Sequence, residues 1–515
     1  MRTLKNLLLL GGLVTISSCN DLDDFIGGGG DDDEQTIEME PLTSSVVPDG
    51  VFTLKGEFAS SADLSMVLSS ADILPSDPSF VYGSFMDGAA LYPDGNGNYA
   101  FINNLESDFS IARIMMNADL QPYEGDYIVA ATATAFTAQC SGSSITPEEH
   151  GFGPLYLSGG EWGGNAKGVY QVNPFRDTED RVEAARLPAL GEWSTENAVA
   201  IGKDAFPGQT VVFMGDDDSN NTYPESHFAM YVGGLGDLET GDLYMLRGKN
   251  PVETGIGEGG QLFEMGMAEG VAYDVEWVKV TERTIDELNQ EGIDSLAIGF
   301  QRIEDIDWRR GSAEANREVY FNATGRYRPD NPDLANRGTT FGRVYKLTLD
   351  PENPTGDAVL EVVMDGDLEG GKADGMHSPD NIVVTQNYAY IQEDPNGYQD
   401  LNPEIQGFAK LWQLNLNTGE VREVMECNQE GAAALGYGVT DSMWEITGLI
   451  DVTDIIGASE PTFLGGAQVH GWNFGTTPET AVRADGLKFF DPTAITEDAA
   501  RLEGSFLFKI TGLPR

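Results

Sequence analysis

Pro93-Asp94-Gly95-Asn96-Gly97-Asn98 runs directly into Tyr99-Ala100-Phe101-Ile102. A cluster of turn-formers gives way to an aromatic and β-branched run. Glycine and asparagine reach the backbone conformations that tight turns need, and the residues after them suit a pleated, half-buried surface. The same alternation recurs at Val51 to Leu54, Tyr127 to Ala131, Val211 to Met214, Leu243 to Leu246, Glu318 to Phe321, Val344 to Leu349, Ile382 to Ile391, Leu411 to Leu416 and Ser505 to Ile510. Many short runs between turn signals mark an all-β chain. The best amphipathic helix signal, Thr284 to Gln290, is short. A single domain of more than 400 residues is unusual unless it is built from repeated units. Between a β-propeller and a multi-sheet sandwich, the propeller fits this length better, at roughly four strands per blade. No clean sequence repeat is visible, and no domain boundary follows residue 45.

The first residues set an expectation about compartment. Arg2 and Lys5 precede the apolar stretch Leu7 to Val14, which is too short to span a bilayer. Ile16-Ser17-Ser18-Cys19 then reads as a lipobox. Residues 1–18 are therefore expected to be a lipoprotein signal, with Cys19 as the lipidated first mature residue. Residues 19–45 read as a disordered tether, because Gly27 to Gly30 gives flexibility and Asp31-Asp32-Asp33-Glu34 repels itself. An acidic stretch in this place also resembles the surface-export signal of some bacterial lipoproteins. The expected location is the bacterial outer membrane or cell surface, with the lipid as the sole membrane contact. Residues 46–515 are read as one domain.

The chain has 515 residues, 84 of them acidic and 30 basic, for a net charge of −54. Nucleic acid and anionic membrane surfaces are poor partners for such a field, and cations are good ones. Hard cations want carboxylate oxygens, although a salty habitat also favours acidic surfaces. Besides Cys19 only Cys140 and Cys427 remain, which allows one disulfide or free thiols and implies no disulfide framework. Four histidines are too few for a histidine-built metal site, so oxygen ligation is favoured.

Five segments could carry chemistry. Cys140-Ser141-Gly142 follows the apolar run Ile128 to Phe136, so its thiol sits near a strand end as a metal ligand or a small buried residue. Ser194-Thr195-Glu196 offers one carboxylate. Val211 to Met214 runs through Gly215 into Asp216-Asp217-Asp218, placing acids at a sheet end. In Arg302-Ile303-Glu304-Asp305, residues two apart share a face, so Arg302 and Glu304 point together. That pair is an oxyanion binder beside a metal ligand, or an ordinary ion pair. Ser378-Pro379-Asp380-Asn381 opens the run Ile382 to Ile391, read as one strand, and Glu393-Asp394 closes it. The loops Asp94-Gly95-Asn96-Gly97-Asn98 and Asp365-Gly366-Asp367 look calcium-friendly but lack the helix and glutamate of an EF-hand. Taken singly, each segment is as well explained by a solvated turn. No Ser-His-Asp pattern, phosphate-binding loop or zinc motif stands out.

Taken together, the set resembles the PhoX-type alkaline phosphatase family of exported, calcium- and iron-dependent phosphomonoesterases on a β-propeller. Cys140-Ser-Gly with Thr146-Pro147 is similar to the segment whose cysteine binds iron. Ser194-Thr195-Glu196 is similar to a Ser-His-Glu segment whose glutamate binds metal. Arg302-Ile303-Glu304 resembles an Arg-x-Glu segment, with arginine on phosphate and glutamate on metal. Pro379-Asp380-Asn381 resembles a metal-binding Pro-Asp-Asn, and Glu393-Asp394 stands where a second acidic pair is expected. Met214-Gly215-Asp216-Asp217, Trp444-Glu445-Ile446-Thr447-Gly448 and Leu502-Glu503-Gly504 add to the likeness. The chain departs at Thr195 and at Asn103-Asn104-Leu105-Glu106, where histidine is missing, and it inserts Glu148-Glu149-His150.

The resemblance implies a six-bladed propeller, calcium and iron as cofactors, small phosphate esters as substrates and a monomer. It implies Arg302 as the phosphate-binding catalytic residue, and Cys140, Glu196, Glu304, Asp380, Asp216, Asp217 and Glu393 as metal ligands. Cys140, Glu196, Arg302, Glu304 and Asp380 should then converge at one end of the central channel. The alternative is a non-catalytic, calcium-binding surface propeller used for adhesion or ligand binding.

Overall fold

The computed structural model describes residues 39–218, 220, 223–249, 261–395, 407–477, 480–488 and 502–515. The expected signal, Cys19 and the tether up to residue 38 lie outside the described residues. Glu40 to Arg515 form one compact unit. Residues 40–45, given to the tether from sequence, pack onto it: Leu42 N donates to Pro122 O at 2.7 Å and Ser45 Oγ to Asp72 Oδ2 at 2.6 Å.

The described strands form five antiparallel sheets in a propeller-like arrangement. Six strands lie nearest the middle, each at an edge of its sheet. They are β1 (Met86–Pro93), β2 (Thr137–Ile145), β3 (Thr195–Ala200), β4 (Ile303–Trp308), β5 (Pro379–Val384) and β6 (Glu445–Asp451). Each touches the next in chain order, and β6 touches β1, so the set closes on itself. Four of the sheets are short stacks that step outward from β1, β2, β5 and β6. The fifth has nine strands, with β3 at one edge and β4 at the other. It is continuous because the long strand Ala272–Val280 pairs with Asp242–Gly248 over most of its length and with Ala358–Asp365 at its start. Asp63–Ser69 pairs with Glu503–Thr511, which joins distant parts of the chain in the β6 sheet.

The run Ile382 to Ile391 is a hairpin and not one strand. The polar residues Thr385, Gln386 and Asn387 break the apolar run, and Thr385 N donates back to Tyr388 O at 2.8 Å. The fold-back pairs Pro379 with Glu393, so Asp380 and Asp394 end up at the same end of the sheet. Thr284 to Gln290 starts a helix that spans Ile285–Asp294.

Apolar side chains fill the interior of the nine-stranded sheet and the spaces between sheets. Phe228, Phe321 and Tyr345 stack in series, with ring centroids 4.2 and 4.9 Å apart. Phe52, Trp444 and Phe506 form a second nucleus. Burying one such side chain contributes about 1.5–3 kcal/mol, so these layers supply the stability that the centre of the ring does not.

All six inner strands are bulged near their starts. The ladder skips between Met86 and Ala89, Gln139 and Gly142, Thr195 and Ala198, Ile303 and Ile306, Pro379 and Ile382, and Thr447 and Ile450. A bulge re-aims side chains and leaves backbone groups without ladder partners. Buried asparagine amides take up several of these carbonyls. Asn103 Nδ2 reaches Asp87 O at 2.8 Å, Asn104 Nδ2 reaches Cys140 O at 2.6 Å, and Asn322 Nδ2 reaches Asp380 O at 2.7 Å. The repeated unit is thus structural: a bulge, an acid or thiol beside it, and a neighbouring amide that fixes it.

Candidate metal centre

The bulges place ligand atoms in a common space. Asp87, Glu196, Glu304 and Asp380 are each the second residue of their strand, Cys140 is the fourth of β2 and Glu445 the first of β6. Three groups of donors form, each with ligand atoms within 4.8 Å of one another: Asp87–Cys140–Glu196, Glu196–Glu304–Asp380 and Glu106–Cys140–Glu161. Cys140 and Glu196 are shared, so the three are one continuous centre. A fourth group, Asp394–Glu445–His470, shares no residue with them.

Electrostatics explain why such a cluster wants a cation. Cys140 is 2% exposed, and its Sγ donates to Glu161 Oε2 at 3.0 Å. Burial, and then Glu161 and Glu106, push its thiol well above the ordinary range. Burial likewise raises Glu196, Glu304 and Asp380 well above ordinary carboxylates, reinforced by their acidic neighbours. Asp87 is pushed up to about 7 by burial and Glu106, although Thr447 Oγ1 donates to it at 2.6 Å and Asn381 Nδ2 at 3.2 Å. These groups repel one another and shed the charge onto protons. A metal ion would displace the protons and turn the repulsion into binding. The donor set fits the metals the sequence suggested: clustered carboxylate oxygens suit a hard ion such as calcium, and a thiolate suits iron.

Arg302 stands beside this centre. Its Nε and Nη2 lie 2.7 and 2.9 Å from Asp217 Oδ1 and Oδ2, and Nη2 lies 2.9 Å from Glu304 Oε1. The residue has a positive φ of 61°, which costs a side-chain-bearing residue on the order of 1–2 kcal/mol. Arg302 N donates to Ser226 Oγ at 3.0 Å and Arg302 O accepts from Thr324 N at 2.9 Å, which holds that conformation.

The structure brings Cys140, Glu196, Arg302, Glu304 and Asp380 together. Asp217 joins them through Arg302. Asp216 does not, since it is fully buried, is in none of the four groups, and has its carboxyl raised by burial and then by Asp218. Glu393 also stands outside the groups. It accepts from His377 N at 3.1 Å, Lys410 N at 2.9 Å and Trp412 Nε1 at 2.7 Å. Cys427 is a buried free thiol among apolar side chains, as is fitting for a small core residue, and it forms no disulfide with Cys140. Asp94 closes its own loop by accepting from Asn96 N and Asn98 N, and Asp365 is paired with Arg343. Asp87, Glu161 and His470 were not singled out from sequence, and Glu106 and Glu445 stood in segments that carry the resemblance without being assigned as ligands. For Asp87 the available signal was an acid set in the otherwise apolar run Met86 to Tyr92.

No protein-family model matches the chain, and no curated protein matches it in sequence. Among solved structures it is similar to Pseudomonas fluorescens PhoX in complex with vanadate, a transition state analogue. The TM-score is 0.59 over 92% of this chain and 97% of that one, at 15% identity. The two share a fold. The AfRom2 CNH domain is similar only at a TM-score of 0.31 and 10% identity, over 78% of this chain and 95% of that one.

Proposed function

We propose that this protein is an extracytoplasmic, metal-dependent phosphomonoesterase that releases phosphate from small organic esters. The observation that carries the reading is the meeting of a thiol, four carboxylates and an arginine over the bulged starts of the inner strands. The shared fold with PhoX, a protein seen with vanadate, a transition state analogue, supports it. The six inner strands that touch in a closed cycle support a six-bladed propeller, with the nine-stranded sheet counted as two blades joined at Ala272–Val280.

Cys140, Asp87 and Glu196 would hold iron, and Glu196, Glu304 and Asp380 would hold calcium. Such ions would supply neutralisation of a phosphate ester's charge and activation of the attacking oxygen. The rest falls to side chains. The Arg302 guanidinium matches phosphoryl oxygens in shape and charge. Asp217 and Glu304 orient that fork, so it need not reorganise as charge develops on the phosphoryl group. The acid-rich surroundings disfavour nucleic acid as substrate. Lipidation at Cys19, a place on the outer membrane or cell surface and a monomeric state complete the proposal.

Metal analysis of the purified protein beside Cys140→Ala, with a phosphate-ester assay of both, tests the reading. Iron and calcium in the first, loss of iron in the second and loss of turnover with it are expected. Calcium alone in both, without hydrolysis, would assign the protein to the calcium-binding surface propellers.

A further inference from the structure

Arg302 and Ser378 both carry side chains at positive φ, 61° and 48°. Arg302 immediately precedes β4, which bears Glu304, and Ser378 immediately precedes β5, which bears Asp380. Backbone in this region persists only where its surroundings over-determine it. Ser226 and Thr324 hold Arg302 itself, and a buried acid holds the residue before it.

That acid is Glu264, on the short helical turn Glu264–Gly266, and it is fully buried. Its Oε2 accepts from Gln301 N and from Thr339 N, each at 2.9 Å, and its Oε1 accepts from Tyr345 Oη at 3.0 Å. Both N–H groups lie before their strands begin, outside the ladders, so the carboxylate stands in for the missing partners. The turn is itself pinned. Arg343 Nη1 donates to Glu264 O, and Arg343 Nε and Nη2 lie 3.1 and 2.8 Å from Asp365 Oδ1 and Oδ2.

One oxygen of Glu264 thus joins the neighbour of Arg302 to the segment that begins at Thr339. That segment continues to Ser378: Thr340 N and Phe341 N donate to Asp367 Oδ1 at 3.0 and 3.2 Å, and Phe341 O accepts from Ser378 N at 2.8 Å. Gln301 O is held as well, accepting from Gly325 N at 3.1 Å. Burying a carboxylate is costly, and a fold keeps one only where donors meet it. Glu264 is in none of the four ligand groups, and what its donors share is the backbone that leads into Arg302.

We propose that Glu264 is a positioning residue for Arg302, holding the Gln301–Arg302 backbone in the conformation that lays the guanidinium against Asp217 and Glu304 and toward the phosphoryl group. The inference rests on the phosphomonoesterase reading and adds to it a residue that acts through Arg302 and does not touch the substrate. Without the acceptor, Gln301 N, Thr339 N and Tyr345 Oη lose their shared partner, and Arg302 can relax away from its strained φ.

The test measures kcat and KM for a phosphate ester, with metal content and circular dichroism, on the full chain. It compares the wild type, Glu264→Ala, Glu264→Gln, Arg302→Lys and the Glu264→Ala, Arg302→Lys double variant. Glu264→Ala should lower kcat/KM about 10–100-fold, mainly through kcat, with metal content as in the wild type. Glu264→Gln keeps a carbonyl oxygen for the two N–H groups and can turn its NH2 to the Tyr345 oxygen, so its kcat/KM should return to near the wild-type value. In the Arg302→Lys background Glu264→Ala should add little, because two residues acting through one group are not additive. Should Glu264→Ala not fold, Glu264→Asp, which withdraws the carboxylate by one methylene, takes its place with the same expectations. Three results would overturn the inference and leave the phosphomonoesterase reading standing: unchanged kcat/KM in the folded variant, activity lost together with metal, or losses that multiply fully in the double variant. A wild type without turnover would overturn both.

Discussion

Phe321 and Glu196 are both buried, but in opposite kinds of interior. Phe321 stacks between Phe228 and Tyr345, at centroid distances of 4.2 and 4.9 Å, and every neighbour gains from the contact. Glu196 lies with Glu304 and Asp380 inside a 4.8 Å group of carboxylates, and these acids, with Asp87 and Glu161, add to burial in raising its proton affinity. The apolar layers hold the fold; the ring of inner strands works against it in order to bind. A bulged β framework tolerates this division, because the ladders and apolar layers outside the ring fix the backbone that carries the acids.

Removing an apolar side chain should show the first interior most strongly. Phe321→Ala is expected to destabilise the chain by about 3–5 kcal/mol, read from the urea midpoint, with the metal content of the folded fraction unchanged. If metal were lost before stability, the two interiors would not be separable.

The second interior should reveal itself through pH. Burial pushes Asp87 up to about 7. Unfolded carboxyls titrate near 4. The folded chain therefore keeps a proton that the unfolded chain has lost. The resulting stability is fully present below about pH 4 and disappears as pH rises through about 7. The melting temperature of the chelator-stripped protein should fall across that window, and added calcium and iron should flatten the fall by replacing the protons. A level profile without metal would contradict the picture of a self-repelling centre.

Arg302 lies where the two interiors meet, so its substitution sharpens the contrast. Arg302→Lys keeps the charge and removes the fork held by Asp217 and Glu304. A charge-assisted contact is worth about 1.5–3 kcal/mol, so kcat/KM for a phosphate ester should drop roughly 10–100-fold while metal content holds. Unchanged kcat/KM would remove Arg302 from the reaction.

The sequence disclosed the first interior more readily than the second. Turn clusters such as Pro93 to Asn98 and alternating apolar runs carry the all-β reading, because turn chemistry is local. They do not carry register, which is why Ile382 to Ile391 read as one strand. The residues of Arg302-Ile303-Glu304 and Pro379-Asp380-Asn381 are adjacent in sequence, so their joint placement is legible there. Glu161 and His470 are not on the inner strands at all; they arrive from the second strands, by a register that no motif encodes. The repeat itself, one bulged acid or thiol per inner strand, is a matter of backbone geometry and leaves different residues around each copy.

Glu393 and Asp394 reduce the same contrast to two consecutive residues. Successive side chains of a strand point to opposite sides. Glu393 points into fixed donors, two backbone amides and the Trp412 indole, which bracket the hairpin to its neighbouring strand. Asp394 points into the group with Glu445 and His470. Glu393→Gln must turn its NH2 toward a donor, and the loss should be about 1–3 kcal/mol of stability with no change in bound metal. Asp394→Asn should do the reverse, lowering metal content while shifting the melting temperature less. If Glu393→Gln released metal and left stability alone, the sequence-based assignment of Glu393 as a ligand would stand, and the division between bracket and ligand would have to be drawn elsewhere along this strand.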